Sequence, residues 1–372
     1  MKAVAITPKE KNSARLMEIE KPSVSEIKDG RGVLVEVLRG GACGTDREIN
    51  NGEYGVAPDG SDFLILGHEN FGRVVETGEN VNELKKGDFV VGTVRRPFGQ
   101  SIYDSIGQQD FTTDAEYWER GISRLHGYWS EFYVESADFL IKIPDRLAEI
   151  AVLLEPLSII EKGLKQAEDI QKRLDIWQPK TGAVLGTGNV GLLTVMALRM
   201  RGFEVHGFGL QMPDGYLNAE LCLDIGATYD STKQLSVIDS VEKYGEYDLI
   251  FECTGYSPIA FEAMQCLNEN GILILASVTG GNRKTDQVPT DKINQEFVLG
   301  NRVMVGTVNA NREHFEMGVK DFALCEAMYH GWLARMLTHR VEGLENFGRV
   351  FEILENSGKF NAIKTFFEVG KI

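Results

Sequence analysis

Three short stretches carry side chains that one divalent metal could collect: Cys43-Gly44-Thr45-Asp46, Gly67-His68-Glu69 and Glu155-Pro156. Zinc takes thiolate sulfur, imidazole nitrogen and carboxylate oxygen in a tetrahedral shell, and a catalytic zinc keeps one position open. Cys43, His68 and Glu155 could fill three positions. Glu69 could be a fourth ligand or could exchange with a substrate oxygen, and Asp46 is placed to accept a hydrogen bond from the His68 imidazole and fix its tautomer. Glycines beside the first two motifs let the backbone turn tightly enough for the side chains to converge. A lone cysteine, or a histidine beside a glutamate, is more often structural; it is the combination that points to a metal. Such an ion acts as a Lewis acid on a hydroxyl, and Thr45 could take the released proton. The plainer alternative for Thr45 is a turn hydroxyl satisfying local backbone.

A second signature is Gly186-Thr187-Gly188-Asn189-Val190-Gly191. Among 40 glycines this string alone is weak. Its setting strengthens it: it follows the apolar run Ala183-Val184-Leu185 and opens the apolar stretch 192–198, so the glycines would let a pyrophosphate approach a helix N-terminus. Gly186, Gly188, Asn189, Val190 and Gly191 are therefore the expected cofactor contacts. The next strand should end in an acid for the ribose of NAD or bring an arginine for the phosphate of NADP. It reads His206-Gly207-Phe208-Gly209-Leu210-Gln211-Met212 and has neither. The missing arginine tilts slightly to NAD, with Gln211 a candidate ribose partner, and the choice between NAD and NADP stays open. An alcohol-polarising metal plus a hydride acceptor implies an alcohol dehydrogenase.

These residues need elements to hold them. At 372 residues the chain calls for two domains. Up to about Pro144 the pattern is short, β-rich and broken by glycine, as in 32–38, 71–76 and 87–92, which suggests a partly open β-barrel. A long amphipathic helix starts near Glu155. Strands are expected at 204–208, 248–252, 272–276 and 303–306 with helices between, the alternation of a doubly wound parallel sheet. After about Asn309 the alternation stops, so a return to the first domain is expected.

A net charge of −16 repels phosphodiesters and anionic lipid, which excludes nucleic-acid and membrane partners at this stage. No apolar run reaches the length of a signal core or a membrane span. Five scattered cysteines without a CxxC pair are no disulfide framework and suit a reducing cytoplasm.

With Cys43-Gly44-Thr45-Asp46-Arg47-Glu48, Glu119-Arg120-Gly121-Ile122 leading to His126-Gly127-Tyr128, and Val308-Asn309 before His314-Phe315, the chain resembles the zinc-dependent medium-chain alcohol dehydrogenases, within them the archaeal-type glucose dehydrogenases. The resemblance covers nearly the whole chain. It implies an α/β architecture: a GroES-like partly open β-barrel catalytic domain at 1–156, a Rossmann doubly wound sheet at 157–308 and a return to the catalytic domain at 309–372. It implies oxidation of an aldose at C1 to the lactone with NAD(P), in a homodimer or homotetramer. Carried over by motif, Cys43, His68, Glu69 and Glu155 look like zinc ligands, and Thr45, Glu119, Glu155 and Asn309 like sugar contacts. Gly188 to Gly191, Ser277, Val278, Thr279, Thr307, Val308, Asn309 and Lys364 look like cofactor contacts. Carboxylates and amides suit a sugar, since each desolvated partner adds discrimination.

Two departures bear on this. Relatives often hold a structural zinc with four close cysteines, and 95–118 has none, so one catalytic zinc per subunit is expected. Glu48 stands where alcohol-oxidising cousins carry a relay histidine. The alternatives are a zinc dehydrogenase of another polyol or secondary alcohol, and a redox-inert protein that kept the fold. The intact ligand set argues against the inert one.

Overall fold

The computed structural model describes residues 1–278, 284 and 288–372. The chain divides into two compact units: Met1–Ser158 with Asn309–Ala323 and Leu333–Ile372, and Ile159–Val308 with Leu324–Trp332.

In the first unit the strand Gly32–Ala42 organises the rest. Its Val33, Leu34, Val35, Val37 and Leu38 are buried, as suits a β-branched and bulky run with neighbours on both sides. Along one edge it pairs antiparallel with Asn70–Thr77. Along the other it has two partners in succession, Phe132–Ser136 against Gly32 to Glu36 and Thr365–Glu368 against Arg39 to Ala42. Phe89–Gly92 and Leu140–Ile143 extend the sheet on one side and His339–Glu342 on the other, making seven strands. A three-stranded antiparallel sheet, Arg15–Glu18, Lys2–Ile6 and Leu64–Ile65, shares a core with it: Val4, Ile6, Leu64 and Leu66 cluster with Trp129, Phe351 and Phe367.

A further small sheet pairs Arg95–Arg96, Trp118–Arg120 and Arg124–Leu125. It is anchored by the buried Glu135, which accepts from Arg96 Nη2 at 2.5 Å and from Arg120 Nε at 2.9 Å.

The second unit is a six-stranded parallel sheet in the order Thr228–Ser231, Glu204–Gly209, Thr181–Leu185, Tyr247–Glu252, Leu267–Leu275, Val303–Gly306. Its first strand in sequence, Thr181–Leu185, lies in the interior, and the strand order reverses there. That is the switch point at which doubly wound sheets bind dinucleotides. Ala183, Leu185, Phe208, Ile250 and Leu273 form its core.

The strands expected at 204–208, 248–252 and 303–306 are found at Glu204–Gly209, Tyr247–Glu252 and Val303–Gly306. The strand Leu267–Leu275 begins five residues earlier than the expected 272. Its first half, Asn268-Glu269-Asn270-Gly271, is too polar to read as a buried strand, and pairing slips between Tyr247 and Leu249 beside it. The helix expected near Glu155 is Leu154–Gln171.

Candidate functional site

Cys43 sits where the Gly32–Ala42 strand gives way to the helix Gly44–Asn50. Its sulfur accepts the Thr45 N–H at 3.3 Å, and the Asp46 carboxylate returns to the Cys43 N–H at 3.0 Å. This reciprocal cap fixes the thiol at the helix start. The other oxygen of Asp46 accepts from Gly67 N at 3.3 Å and so ties the first motif to the second.

Gly67 has φ +87°, and a Cβ on it would stand 2.0 Å from the Trp129 ring. Only glycine lets the chain turn there and bring His68 and Glu69 inward. His68 Nε2 lies 3.2 Å from Cys43 Sγ, and the donor atoms of Cys43, His68 and Glu69 all lie within 4.8 Å of one another. In a tetrahedral zinc shell the sulfur–nitrogen edge would be roughly 3.6 Å. A soft sulfur, an imidazole nitrogen and a carboxylate oxygen at this spacing fit zinc.

The Asp46 carboxylate comes to 3.6 Å from His68 Nδ1, an electrostatic contact longer than a hydrogen bond. Burial alone would lower the His68 pKa; the charges of Cys43 and Asp46 outweigh it and hold the imidazole well above its ordinary value. Glu155, in the first turn of Leu154–Gln171, is buried and lies outside the group of three donors. Its carboxyl is pushed up to about 7 by desolvation, with His68 pulling it down and Glu69 pushing it up. It therefore stands within electrostatic reach of the cluster.

Glu69 has a partner that sequence reasoning missed. Lys364, also buried, donates from its ammonium to Glu69 Oε2 and to the Ala42 carbonyl at 3.3 Å. The carboxylate occupies a slot left by Gly41, where a Cβ would come within 2.0 Å of Glu69 Oε2. The available signal was the pair Gly40-Gly41 inside a strand, since glycine there marks a close approach.

Thr45 is half-buried, two residues past Cys43. Glu119 lies in the strand Trp118–Arg120, buried, with Arg95 Nε at 3.0 Å and Nη2 at 2.8 Å on one oxygen. Asn309 is half-buried and left-handed, with φ 55°.

In the second unit the three glycines of the turn have distinct duties. Gly186 takes φ +90°, with its missing Cβ 2.8 Å from Thr254 Cγ2. Gly188 caps the helix Asn189–Met200, and a Cβ on it would meet nothing within 4 Å. A Cβ on Gly191 would stand 1.7 Å from the Gly186 carbonyl oxygen. The turn is thus closed at both ends and open at its middle, which is the opening a pyrophosphate needs. Gln211 is exposed two residues past the Glu204–Gly209 strand. Thr307 is buried with its hydroxyl 3.4 Å from the Ile159 carbonyl, Val308 is exposed and its carbonyl accepts from Lys162 Nζ at 3.0 Å, and Val278 is exposed beside the half-buried Ser277. Thr279 lies outside the described residues.

A convergent cluster of sulfur, nitrogen and carboxylate in one unit and a dinucleotide turn in the other define a metal-dependent dehydrogenase. The model of the alcohol dehydrogenase GroES-like domain matches residues 29–145, and that of the glucose dehydrogenase C-terminus matches 148–368. A glucose 1-dehydrogenase of Methanocella arvoryzae is 43% identical over 348 residues, covering 93% of this chain and 94% of its own. One from Thermoproteus tenax is 37% identical over 357 residues, covering 94% and 96%. Among solved structures, the glucose dehydrogenase of Haloferax mediterranei, in complex with NADP, Zn and gluconolactone, superposes with a TM-score of 0.86 at 32% identity, covering all of both chains. The chain belongs to the glucose dehydrogenase family of the zinc-dependent medium-chain dehydrogenases.

Proposed function

We propose that the protein oxidises an aldose, glucose or a close relative such as galactose, at C1 to the lactone, delivering hydride to a nicotinamide cofactor. The observation that carries this reading is the convergence of the half-buried Cys43 with the buried His68 and Glu69 in a chain of the glucose dehydrogenase family. The Haloferax mediterranei relative, with NADP, Zn and gluconolactone bound, supports it.

When bound, zinc supplies a Lewis acid for the sugar oxygen and the nicotinamide accepts the hydride. The chain does the rest. Cys43, His68, Glu69 and Glu155 would hold the metal, with Glu69, shared with Lys364, the ligand that would exchange with a substrate oxygen. Thr45 accepts the proton of the sugar hydroxyl and passes it outward. Glu119, Glu155 and Asn309 orient the sugar. Gly186, Gly188, Asn189, Val190 and Gly191 seat the pyrophosphate, with Gln211, Ser277, Val278, Thr279, Thr307, Val308, Asn309 and Lys364 as further cofactor contacts. The first unit is then the catalytic domain and the second the cofactor domain.

One zinc per subunit fits the lack of cysteine in 95–118. A homodimer or homotetramer in the cytoplasm completes the reading: the strand Val303–Gly306 is an edge of its sheet with Met304 exposed, and no helix among the described residues is long and apolar enough to cross a membrane.

Metal analysis and nicotinamide reduction across glucose, galactose, xylose and short alcohols test this. Zinc near one equivalent with turnover of aldoses is expected. Turnover of short alcohols alone would favour the second enzyme reading, and no zinc with no turnover of any sugar would sink both.

A further inference from the structure

Two buried acids meet the small sheet of Arg95–Arg96, Trp118–Arg120 and Arg124–Leu125, and they are held differently. Glu135 is shared by Arg96 and Arg120, two cations for one carboxylate. Glu119 has Arg95 alone among the described residues. Arg95 lies directly opposite Glu119 in the antiparallel pairing, so the two side chains leave the sheet on the same face. Arginine ordinarily grips a carboxylate fork to fork, each nitrogen taking its own oxygen. Here Nε at 3.0 Å and Nη2 at 2.8 Å both take Oε1. The second oxygen, Oε2, accepts no hydrogen bond among the described residues, and it is not sealed from solvent.

Arg95 is itself fixed from behind. Its guanidinium carbon lies 4.1 Å from the centroid of the Tyr117 ring, a cation on an aromatic face, and the side chain is buried. The carboxylate therefore cannot swing to present its other oxygen without breaking two charged hydrogen bonds. The turn that follows brings Glu119 to the metal motifs. Gly121 has φ +72°, and a Cβ on it would stand 2.4 Å from the Gly67 carbonyl oxygen, so the two backbones touch. Glu119 stands two residues before that contact and His68 one residue beyond it.

We infer that Arg95 is a positioning residue for the substrate: by occupying one oxygen of Glu119 it fixes the carboxylate and leaves Oε2 to accept a hydroxyl of a sugar held at the metal motifs. The inference rests on the proposed sugar contact at Glu119. A carboxylate oxygen accepts and cannot donate, so the position takes a neutral hydroxyl and turns away a phosphate or a second carboxylate.

Steady-state kinetics of the zinc-loaded protein with glucose test this. Arg95→Ala is expected to raise KM for glucose about tenfold or more with kcat within about threefold, and Arg95→Lys, which keeps the charge without the fork, should recover part of the loss. Glu119→Gln should raise KM by a similar factor. In the Glu119→Gln background Arg95→Ala should add less than about twofold, since the arginine acts only through the carboxylate. That double variant also removes the charge that Arg95→Ala strands in the interior. A merely structural Arg95 would lower zinc content and the active fraction and leave KM where it was. KM unchanged in Arg95→Ala, or multiplied by the full factor in the Glu119→Gln background, overturns the assignment. If the parent turns over another polyol and no aldose, the glucose reading falls, and the same KM shift with that polyol decides this one. If the parent oxidises glucose and the Arg95 variants keep its KM, the reaction stands and this inference falls.

Discussion

Single atoms decide the candidate metal centre. Replacing Cys43 or His68 by alanine is expected to abolish both zinc retention and turnover while leaving dinucleotide affinity within about twofold, since the glycine turn belongs to the other unit. Loss of cofactor affinity in step with turnover would contradict that separation. The Lys364–Glu69 pair makes a sharper prediction. Removing one partner of a buried ion pair strands the other and costs about 3–5 kcal/mol. In Lys364→Met the Glu69 carboxylate would lack a counter-charge in the metal-free protein, whereas bound zinc would supply one. The melting temperature of the metal-free variant should therefore fall well below that of the parent, with much of the gap closed by zinc. An equal gap with and without zinc would refute the shared-carboxylate reading.

The metal motifs were legible from residue types alone, because cysteine, histidine and paired acids flanked by glycine are an uncommon combination. The ion pair was not. Lys364 is 295 residues from Glu69, and no local pattern links them. Only the register of Thr365–Glu368 against the Gly40–Gly41 end of the long strand brings them together.

The elements account for what each glycine in the turn contributes. Gly188→Ala has room for its Cβ and an ordinary φ of −72°, so the protein should fold with a loss under about 1 kcal/mol. Cofactor affinity should still drop, because the methyl group faces the space reserved for the pyrophosphate. Gly191→Ala is the opposite case: with 1.7 Å to the Gly186 oxygen, helix and strand must separate, and a loss above about 3 kcal/mol is expected by thermal melting. Similar stability for the two variants would remove the distinction between an open and a closed glycine.

The small sheet around Glu135 carries a pH prediction. Burial pushes this carboxyl up, but Arg120 and Arg96 overcome that and bring it down to about 2, from an ordinary value of 4.5. A lowered carboxylate stabilises the fold fully above about pH 4.5 and loses that contribution as pH falls towards 2, for a total of about 3 kcal/mol. The parent should thus be more stable than Glu135→Gln near neutrality, with the difference shrinking as acid is added. A difference independent of pH would mean that shape rather than charge holds the sheet. Neither Arg96 nor Arg120 was marked by the sequence as its partner, because each reaches Glu135 from a separate strand.

For the whole molecule, five strands of the parallel sheet were readable, at least in part, because apolar runs alternate with helical ones, whereas the short and largely polar edge strand Thr228–Ser231 was not among those expected. The first unit was read as a barrel from glycine spacing, but its long strand with two successive partners could not be foreseen, since pairing order depends on segments far apart. Chelation of the intact protein is expected to stop sugar oxidation while leaving nucleotide binding in place. Full activity in the chelated protein would dismiss the metal from the reaction.

The last pairing of the long strand also sets a schedule for synthesis. Its far half is completed only by Thr365–Glu368, so while the ribosome is still making the preceding segments Glu69 has no lysine to meet. A nascent chain can close its nucleotide-binding sheet early, yet it cannot complete the support beneath its metal ligands until residue 368 has emerged. A polypeptide cut short before that point would be able to hold the coenzyme while lacking the finished electrophilic centre.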